Sequence, residues 1–178
     1  MILTKMKYPT ELRQEYRSGD VFPKWKQQFG SRRLFCEINP ACKQFPFRRP
    51  VPKTATYGFG ELFVGLHFLR RGYEVNRYYF SDGDYISSRQ STIKILGEKA
   101  AGLICRDKGT EPPDLFVRDS KNRFAFVEVK LPGDSLSAKQ LKYFLQIEEC
   151  LNKYVSQHKR ARRMPEGHWV EVVYLNKK

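Results

Sequence analysis

The chain has 178 residues, of which 40% are hydrophobic and 14% aromatic; these values predict one globular domain with a real core and exclude a disordered chain. Its formal net charge of +14 favours a polyanionic partner, most simply nucleic acid, although cationic proteins also bind anionic membranes. No stretch approaches the roughly 18 apolar residues of a membrane span. We therefore expect no membrane partner and an intracellular protein, in the cytoplasm or nucleoid, or in the nucleus of a eukaryotic cell.

For residues 1–55 we predict an irregular, basic N-terminal extension that packs on a core domain formed by residues 56–178. The extension has twelve Lys or Arg residues against four acids, a net charge of +8, and its prolines argue against one long helix. Aromatic residues alternate with the charges, and we expect most of these rings to pack on the core. The Arg32–Arg33 and Arg48–Arg49 pairs are candidates for phosphate contacts. Of the four cysteines, Cys36 and Cys42 could be two zinc ligands, but no partner pair for them is visible.

The core domain begins with a predicted helix over residues 58–71, in which leucines recur at helical spacing and Gly72 provides a stop. Glu61 lies near its start, beside the apolar stripe, which suits a carboxylate directed at a site; a helix-dipole or capping role is the alternative. An aromatic-rich strand over 73–80 and a helix over 88–103 follow. The loop after that helix contains Arg106 and Lys108, which could contact a substrate.

The segment PDLFVRDSKNRFAFVEVK, residues 113–130, predicts a β-hairpin. With a three-residue loop, the antiparallel register places Asp114 opposite Glu128. Glu128 and Lys130 project to the same face because side chains on a strand alternate. The two carboxylates would crowd one patch unless a cation offset their repulsion, and Mg²⁺ is suited to such a pair. An ordinary surface hairpin with a Glu128–Lys130 salt bridge is the alternative, but the apolar run before Glu128 predicts a central, buried strand.

The next predicted helix covers residues 137–155, with Ser137 as its N-cap. We expect its apolar stripe to face the core; the stripe comprises Leu141, Phe144, Leu145, Leu151 and Val155. Gln140 in its first turn could reach the Lys130 end of the strand. The basic cluster KRARR at 159–163 predicts an exposed loop. Residues 169–175 are predicted to form the last strand. The resulting order is αβββαβ, with an inserted helix, and the long connection before the last strand predicts a crossover.

Asp114, Glu128 and Lys130 match the P-D…E-x-K signature of the PD-(D/E)XK nuclease superfamily, and EVKLPGDSLSAKQ (128–140) resembles its VRR-NUC branch. The resemblance runs from about residue 57 to residue 175. It implies an α/β, restriction-endonuclease-like αβββαβ core with a mixed central sheet flanked by helices. It also implies a metal site in which an acidic residue of the preceding helix, here Glu61, joins the hairpin carboxylates.

These residues together predict a divalent-metal-dependent endonuclease that hydrolyses DNA, with branched or flapped structures implied by the resemblance. We expect Asp114, Glu128, Glu61 and the Val129 carbonyl to bind Mg²⁺ or Mn²⁺, with Lys130 and Gln140 orienting water or stabilising charge. The candidate nucleic-acid contacts are Arg32, Arg33, Arg48, Arg49, Arg106, Lys108, Lys139, Arg160, Arg162 and Arg163. A resolvase-like role predicts a homodimer, because paired nicks need two sites. The alternative is a non-catalytic nucleic-acid-binding or inhibitory protein that retains the fold.

Overall fold

The structure, a computed structural model, describes residues 1–18, 20, 58–76, 86–105, 112–155, 162–164 and 167–178. The strands in these ranges are β1 (Ile2–Tyr8), β2 (Glu74–Asn76), β3 (Leu115–Arg118), β4 (Arg123–Lys130), β5 (Arg162–Arg163) and β6 (Val170–Lys177). The helices are α1 (Thr10–Ser18), α2 (Phe59–Arg70), α3 (Ile86–Leu96), α4 (Glu98–Cys105) and α5 (Ala138–Tyr154). None of these helices has the length and apolar character needed to cross a membrane.

The strands form one mixed sheet in the order β1-β6-β4-β3-β2, with the short β5 beside the start of β4. Strands β2, β3 and β4 are antiparallel neighbours, whereas β4, β6 and β1 run parallel. The parallel β4–β6 pair requires a crossover, and α5 provides it. This mixed sheet flanked by helices agrees with the restriction-endonuclease-like fold expected from the sequence.

Each face of the sheet has its own apolar core. On one face α2 packs against Val127, Val129 and Val173. On the other face α4 and α5 cover Phe124 and Phe126. Strand β4 is buried from residue 124 to residue 130 because it is central and covered on both faces. Its even-numbered residues, including Glu128 and Lys130, therefore lie on the α5 face.

The β3–β4 hairpin has the predicted three-residue loop, residues 120–122, and the predicted register. Asn122 takes a left-handed conformation (φ 58°), as the last residue of such a loop commonly does. The Asp119 carboxylate accepts hydrogen bonds from the backbone N–H groups of Lys121 and Arg123. Burial by itself raises the pKa of Asp119, but the hydrogen bonds from Arg123 and Lys121 outweigh it and hold the pKa below its usual 3.8. These bonds to a charged group stabilise the turn that sets the register.

Three features of the fold differ from the sequence prediction. The basic cluster at 159–163 was predicted as an exposed loop, but its Arg162–Arg163 part forms strand β5 beside β4. The helix predicted over 88–103 is two helices, because Gly97 adopts a left-handed conformation (φ 81°) that ends α3 before α4 begins. The beginning of the chain, which we expected to be irregular, forms strand β1 and helix α1. Tyr8 and Tyr16 from these two elements lie in the core beside Phe59. The division of the chain at residue 55 stays a prediction, and residues 21–57 lie outside the described ranges.

Helix α5 is attached to β6 by two polar side chains. The Glu148 carboxylate accepts hydrogen bonds from the backbone N–H groups of Trp169 (2.9 Å) and Val170 (2.8 Å). The Asn152 side chain accepts another from the Trp169 indole at 2.8 Å. These bonds fix α5 along the sheet, so its N-terminal end lies beside the end of β4 that carries Glu128 and Lys130.

Candidate active site

Asp114 and Glu128 meet at the open end of the β3–β4 hairpin. The register pairs Leu115 with Val127, which puts Asp114 across from Glu128, as predicted. Asp114 Oδ2 accepts a hydrogen bond of 2.8 Å from the Val129 backbone N–H. Asp114 is therefore held against β4 by its own carboxylate.

Glu128 and Lys130 form a buried ion pair. Glu128 is 4% exposed and Lys130 is 8% exposed, and 2.8 Å separates Lys130 Nζ from Glu128 Oε1. Burial raises the pKa of Glu128, although the Lys130 ammonium, the Asp114 backbone N–H and the Gln140 amide act in the opposite direction. Burial disfavours the ionised form of such a carboxylate, and further positive charge close to it would stabilise that form. A divalent cation beside it would supply that charge.

Gln140 completes the cluster from the first turn of α5. Its Oε1 accepts a hydrogen bond from Lys130 Nζ at 3.1 Å, and its Nε2 donates one to Glu128 Oε1 at 2.9 Å. The same Oε1 accepts the backbone N–H of Ser137, whose Oγ accepts the backbone N–H of Gln140. This reciprocal pair is a capping box. Asp114, Glu128, Lys130 and Gln140 are called the carboxylate–lysine site below.

Asp134 is a residue to which sequence reasoning assigned no role. Its Oδ2 accepts the backbone N–H of Leu131, and its own N–H donates to the Leu131 carbonyl. This turn directs the chain from the end of β4 to the N-cap of α5. The sequence contains a signal for this turn and for the capping box of α5. Asp in a Pro-Gly loop favours such a turn, and S-x-x-Q before an apolar run is a capping-box pattern.

Glu61 lies in the first turn of α2, on the helix that covers the other face of the sheet. The preceding residue, Gly60, packs so closely on β4 that an added Cβ would lie 2.9 Å from Val129 Cγ1. Glu61 thus starts near the Val129 end of β4. Among the described residues, no three His, Cys, Asp or Glu side chains are grouped so that they could hold a metal ion. The metal-binding role of Glu61 therefore stays a prediction.

Three of the ten predicted nucleic-acid contacts lie in the described residues, one near the end of β4 that carries Lys130 and two beside the start of β4. Lys139 is exposed in the first turn of α5, next to Gln140. Arg163 lies in β5 beside the start of β4, at the end of that strand opposite to Lys130. Its guanidinium donates to Asn152 and stacks 5.6 Å from the Trp169 ring centre. Arg162 belongs to β5. The other predicted contacts lie outside the described residues: Arg32, Arg33, Arg48, Arg49, Arg106, Lys108 and Arg160.

The donor set of the site fits a hard divalent cation by its chemistry. It comprises the carboxylates of Asp114 and Glu128 and the carbonyl oxygen of Val129, all oxygen donors at one end of the hairpin. Mg²⁺ typically takes one or two carboxylates and completes its shell with water and phosphate oxygens, so a third acidic side chain is not required. Lys130 and Gln140 both contact Glu128 Oε1, and such donors can bind a phosphate oxygen or a water.

Comparison with known protein families gives a match over the hairpin and helix α5. The sequence profile of the VRR-NUC domain, a PD-(D/E)XK-like nuclease domain, matches residues 69–158, which are 90 of the 178 residues. The matched region includes β3, β4, the capping box of α5 and all four residues of the carboxylate–lysine site, but not Glu61. No curated protein matches the chain. The match to the VRR-NUC profile covers half of the chain, and the protein therefore belongs to the VRR-NUC domain family.

Proposed function

We propose that the protein is a divalent-metal-dependent endonuclease that hydrolyses DNA phosphodiester bonds, with a preference for branched or flapped DNA. The observation that carries the proposal is the carboxylate–lysine site: two carboxylates at one strand end, with a buried lysine 2.8 Å from one of them. Nuclease activity itself is what membership of the VRR-NUC family implies. RNA as substrate is the less favoured choice, and a homodimer is expected if the enzyme makes paired nicks.

The roles of the residues follow from their contacts. Asp114, Glu128 and the Val129 carbonyl would hold Mg²⁺ or Mn²⁺, which when bound lowers the pKa of a water and neutralises charge on the phosphate. Lys130 carries a positive charge at the same place and donates hydrogen bonds, so it can orient the attacking water or stabilise the developing phosphate charge. Gln140 holds the Lys130 ammonium through Oε1 and the Glu128 carboxylate through Nε2. Both groups are therefore positioned before substrate arrives.

The proposal predicts metal-dependent cleavage with a ranking of substrates. Labelled four-way, flap, duplex and single-stranded DNA are incubated with the protein and Mg²⁺, Mn²⁺ or EDTA, and products are separated on denaturing gels. We expect cutting with either metal, no cutting in EDTA, recovery when metal is added back, and faster cutting of branched than of duplex substrates. Tight, salt-sensitive binding without cutting in any metal would instead favour the non-catalytic alternative.

Ser137 offers a test of how the site is positioned. Ser137→Ala removes the capping hydroxyl, which should lower the free energy of unfolding by about 1 kcal/mol. It also releases one anchor of Gln140, so we expect the cleavage rate to fall by up to about tenfold. Ser137→Thr keeps the hydroxyl and serves as the control. A Ser137→Ala protein that loses stability but cuts at the wild-type rate would show that the capping box does not position Gln140 for catalysis.

A further inference from the structure

The sheet aligns Lys130 with a lysine from the other end of the chain. Lys130 on β4 pairs with Tyr174 on β6, and Tyr174 pairs with Lys5 on β1. Paired residues on neighbouring parallel strands lie on the same face, about 4.8 Å apart, so the backbone of Lys5 is about 10 Å from that of Lys130. The next row toward the C-terminal ends of these strands contains Asn176 and Lys7. We call Lys5, Lys7, Tyr174 and Asn176 the β1–β6 surface.

This surface is open to solvent. Leu3, Lys5 and Lys7 are exposed, and Leu3 is 62% exposed, which shows that α5 does not cover this part of the sheet face. The residues between them turn toward the α2 face, where Met6 packs on the core and Tyr8 is fully buried. Asn176 is exposed and Tyr174 is half-buried beside the α5 core. A ligand at Lys130 could thus extend over β6 and β1 without displacing a described element.

The chemistry of the surface suits a phosphate backbone. Lys5 and Lys7 present two ammonium groups, Asn176 an amide, and Tyr174 a hydroxyl and part of a ring, on a protein of net charge +14. Lysine binds phosphate as a mobile point charge, and amide or hydroxyl groups can donate hydrogen bonds to phosphate oxygens. Lysines on an edge strand also discourage sheet-to-sheet association. That role, however, does not require their alignment with Lys130.

We propose that the β1–β6 surface binds the nucleic-acid backbone that flanks the phosphate held at the carboxylate–lysine site. The proposal rests on the proposed function and adds the path of the substrate: from Lys130 across Tyr174 to Lys5 and Lys7. The strand β1 contributes to substrate binding although it lies outside the matched family region, residues 69–158.

The test compares two double variants of the full chain. Lys5→Thr with Lys7→Thr removes the proposed contacts and keeps good strand formers at exposed positions. Lys121→Ala with Lys153→Ala removes two exposed lysines elsewhere, at the hairpin turn about 23 Å from Lys130 and at the end of α5 about 20 Å from Gln140. Affinity for labelled single-stranded and duplex DNA is measured by fluorescence anisotropy in EDTA over a series of salt concentrations. In a second assay, KM and kcat for cleavage are measured with Mg²⁺.

We expect the Lys5/Lys7 variant to reduce the slope of log affinity against log salt by about 1.4 to 1.8, the loss of two phosphate contacts. Its KM should rise with kcat nearly unchanged, because the contacts bind ground state and transition state alike. The Lys121/Lys153 variant should change neither the salt slope nor KM, because the two charges that it removes are more than a Debye length from Lys130 and Gln140. Lys5→Arg with Lys7→Arg should retain the wild-type slope.

The outcomes separate this inference from the proposed function. If the two double variants have equal slopes and equal KM values, the β1–β6 surface does not bind substrate, even if the wild-type protein cuts DNA. If no form of the protein cuts DNA but the Lys5/Lys7 variant alone loses the salt-dependent contacts, the binding surface stands and the nuclease proposal fails. Equal melting temperatures of the two variants would exclude unfolding as the cause of either result.

Discussion

Replacing Lys130 with alanine is expected to reduce the rate of DNA cleavage by about 10²- to 10⁴-fold, the usual contribution of a positioned charged or proton-transferring group. DNA binding should remain largely intact, because Lys130 is 8% exposed and offers little area to a nucleic-acid backbone. The substitution should lower the cleavage rate and not the affinity for DNA. Lys130 Nζ lies 2.8 Å from Glu128 Oε1 and 3.1 Å from Gln140 Oε1, so it would act on the phosphate at the proposed metal site and not on the flanking backbone. The measurement is the single-turnover cleavage rate at saturating protein.

Lys130→Ala also lowers the stability of the protein, so slower cleavage must be distinguished from unfolding. Lys130→Ala leaves the Glu128 carboxylate buried without its cation, and breaking a buried pair typically costs about 3–5 kcal/mol. Lys130→Gln keeps a donor for Glu128 without the charge and should be the more stable of the two, yet equally slow. Lys121→Ala, at the far end of the hairpin, is the control and should cut normally. Wild-type activity in folded Lys130→Ala protein would contradict the assigned role.

Replacing Asp114 with asparagine is expected to reduce the cleavage rate by roughly 100-fold or more while changing stability little. The asparagine oxygen can still accept the Val129 N–H that Asp114 Oδ2 accepts at 2.8 Å, so the end of the hairpin should keep its geometry. The substitution removes the negative charge and one metal-binding oxygen. A bound metal stabilises the charge of the transition state by several kcal/mol, so weaker metal binding should slow the reaction. Calorimetric titration with Mn²⁺ should show weaker binding in parallel with the slower rate.

Two further variants show whether the charge of Asp114 or its hydrogen bond matters. Asp114→Ala removes both, so it should be as slow as Asp114→Asn and also lose about 1–3 kcal/mol of stability through the unpaired Val129 N–H. Asp119→Asn makes the same chemical change at the other end of the hairpin, where the carboxylate accepts backbone N–H groups but lies far from the site. It should cut at the wild-type rate. Cleavage by Asp114→Asn at the wild-type rate would remove Asp114 from the metal site.

The hairpin and its motif were predictable because their determinants are local. A three-residue loop with Asn122 at its left-handed position and alternating side chains place Asp114 opposite Glu128 without reference to the rest of the chain. The start of helix α5 was predictable for the same reason, since Ser137 is its N-cap. Its buried face was predicted only in part, because Leu141 and Leu145 of the predicted stripe are exposed, whereas Tyr143 and Ile147 are buried. Gly97 was a local signal that the sequence prediction did not use: its left-handed conformation divides one predicted helix into α3 and α4.

The sequence by itself thus determined the hairpin, its carboxylates, the buried strand β4 and the capped helix α5, because turns, caps and hydrophobic periodicity act over a few residues. The sequence predicted that Gln140 could reach the Lys130 end of the strand. Only the tertiary structure decided that its amide bonds both Glu128 and Lys130, since this depends on how the crossover helix returns onto the sheet. The same holds for β1, which pairs with β6 across more than 160 residues of sequence. Pairing at such separation is set by burial in the assembled core and not by any local pattern, and it brings Lys5 into line with Lys130.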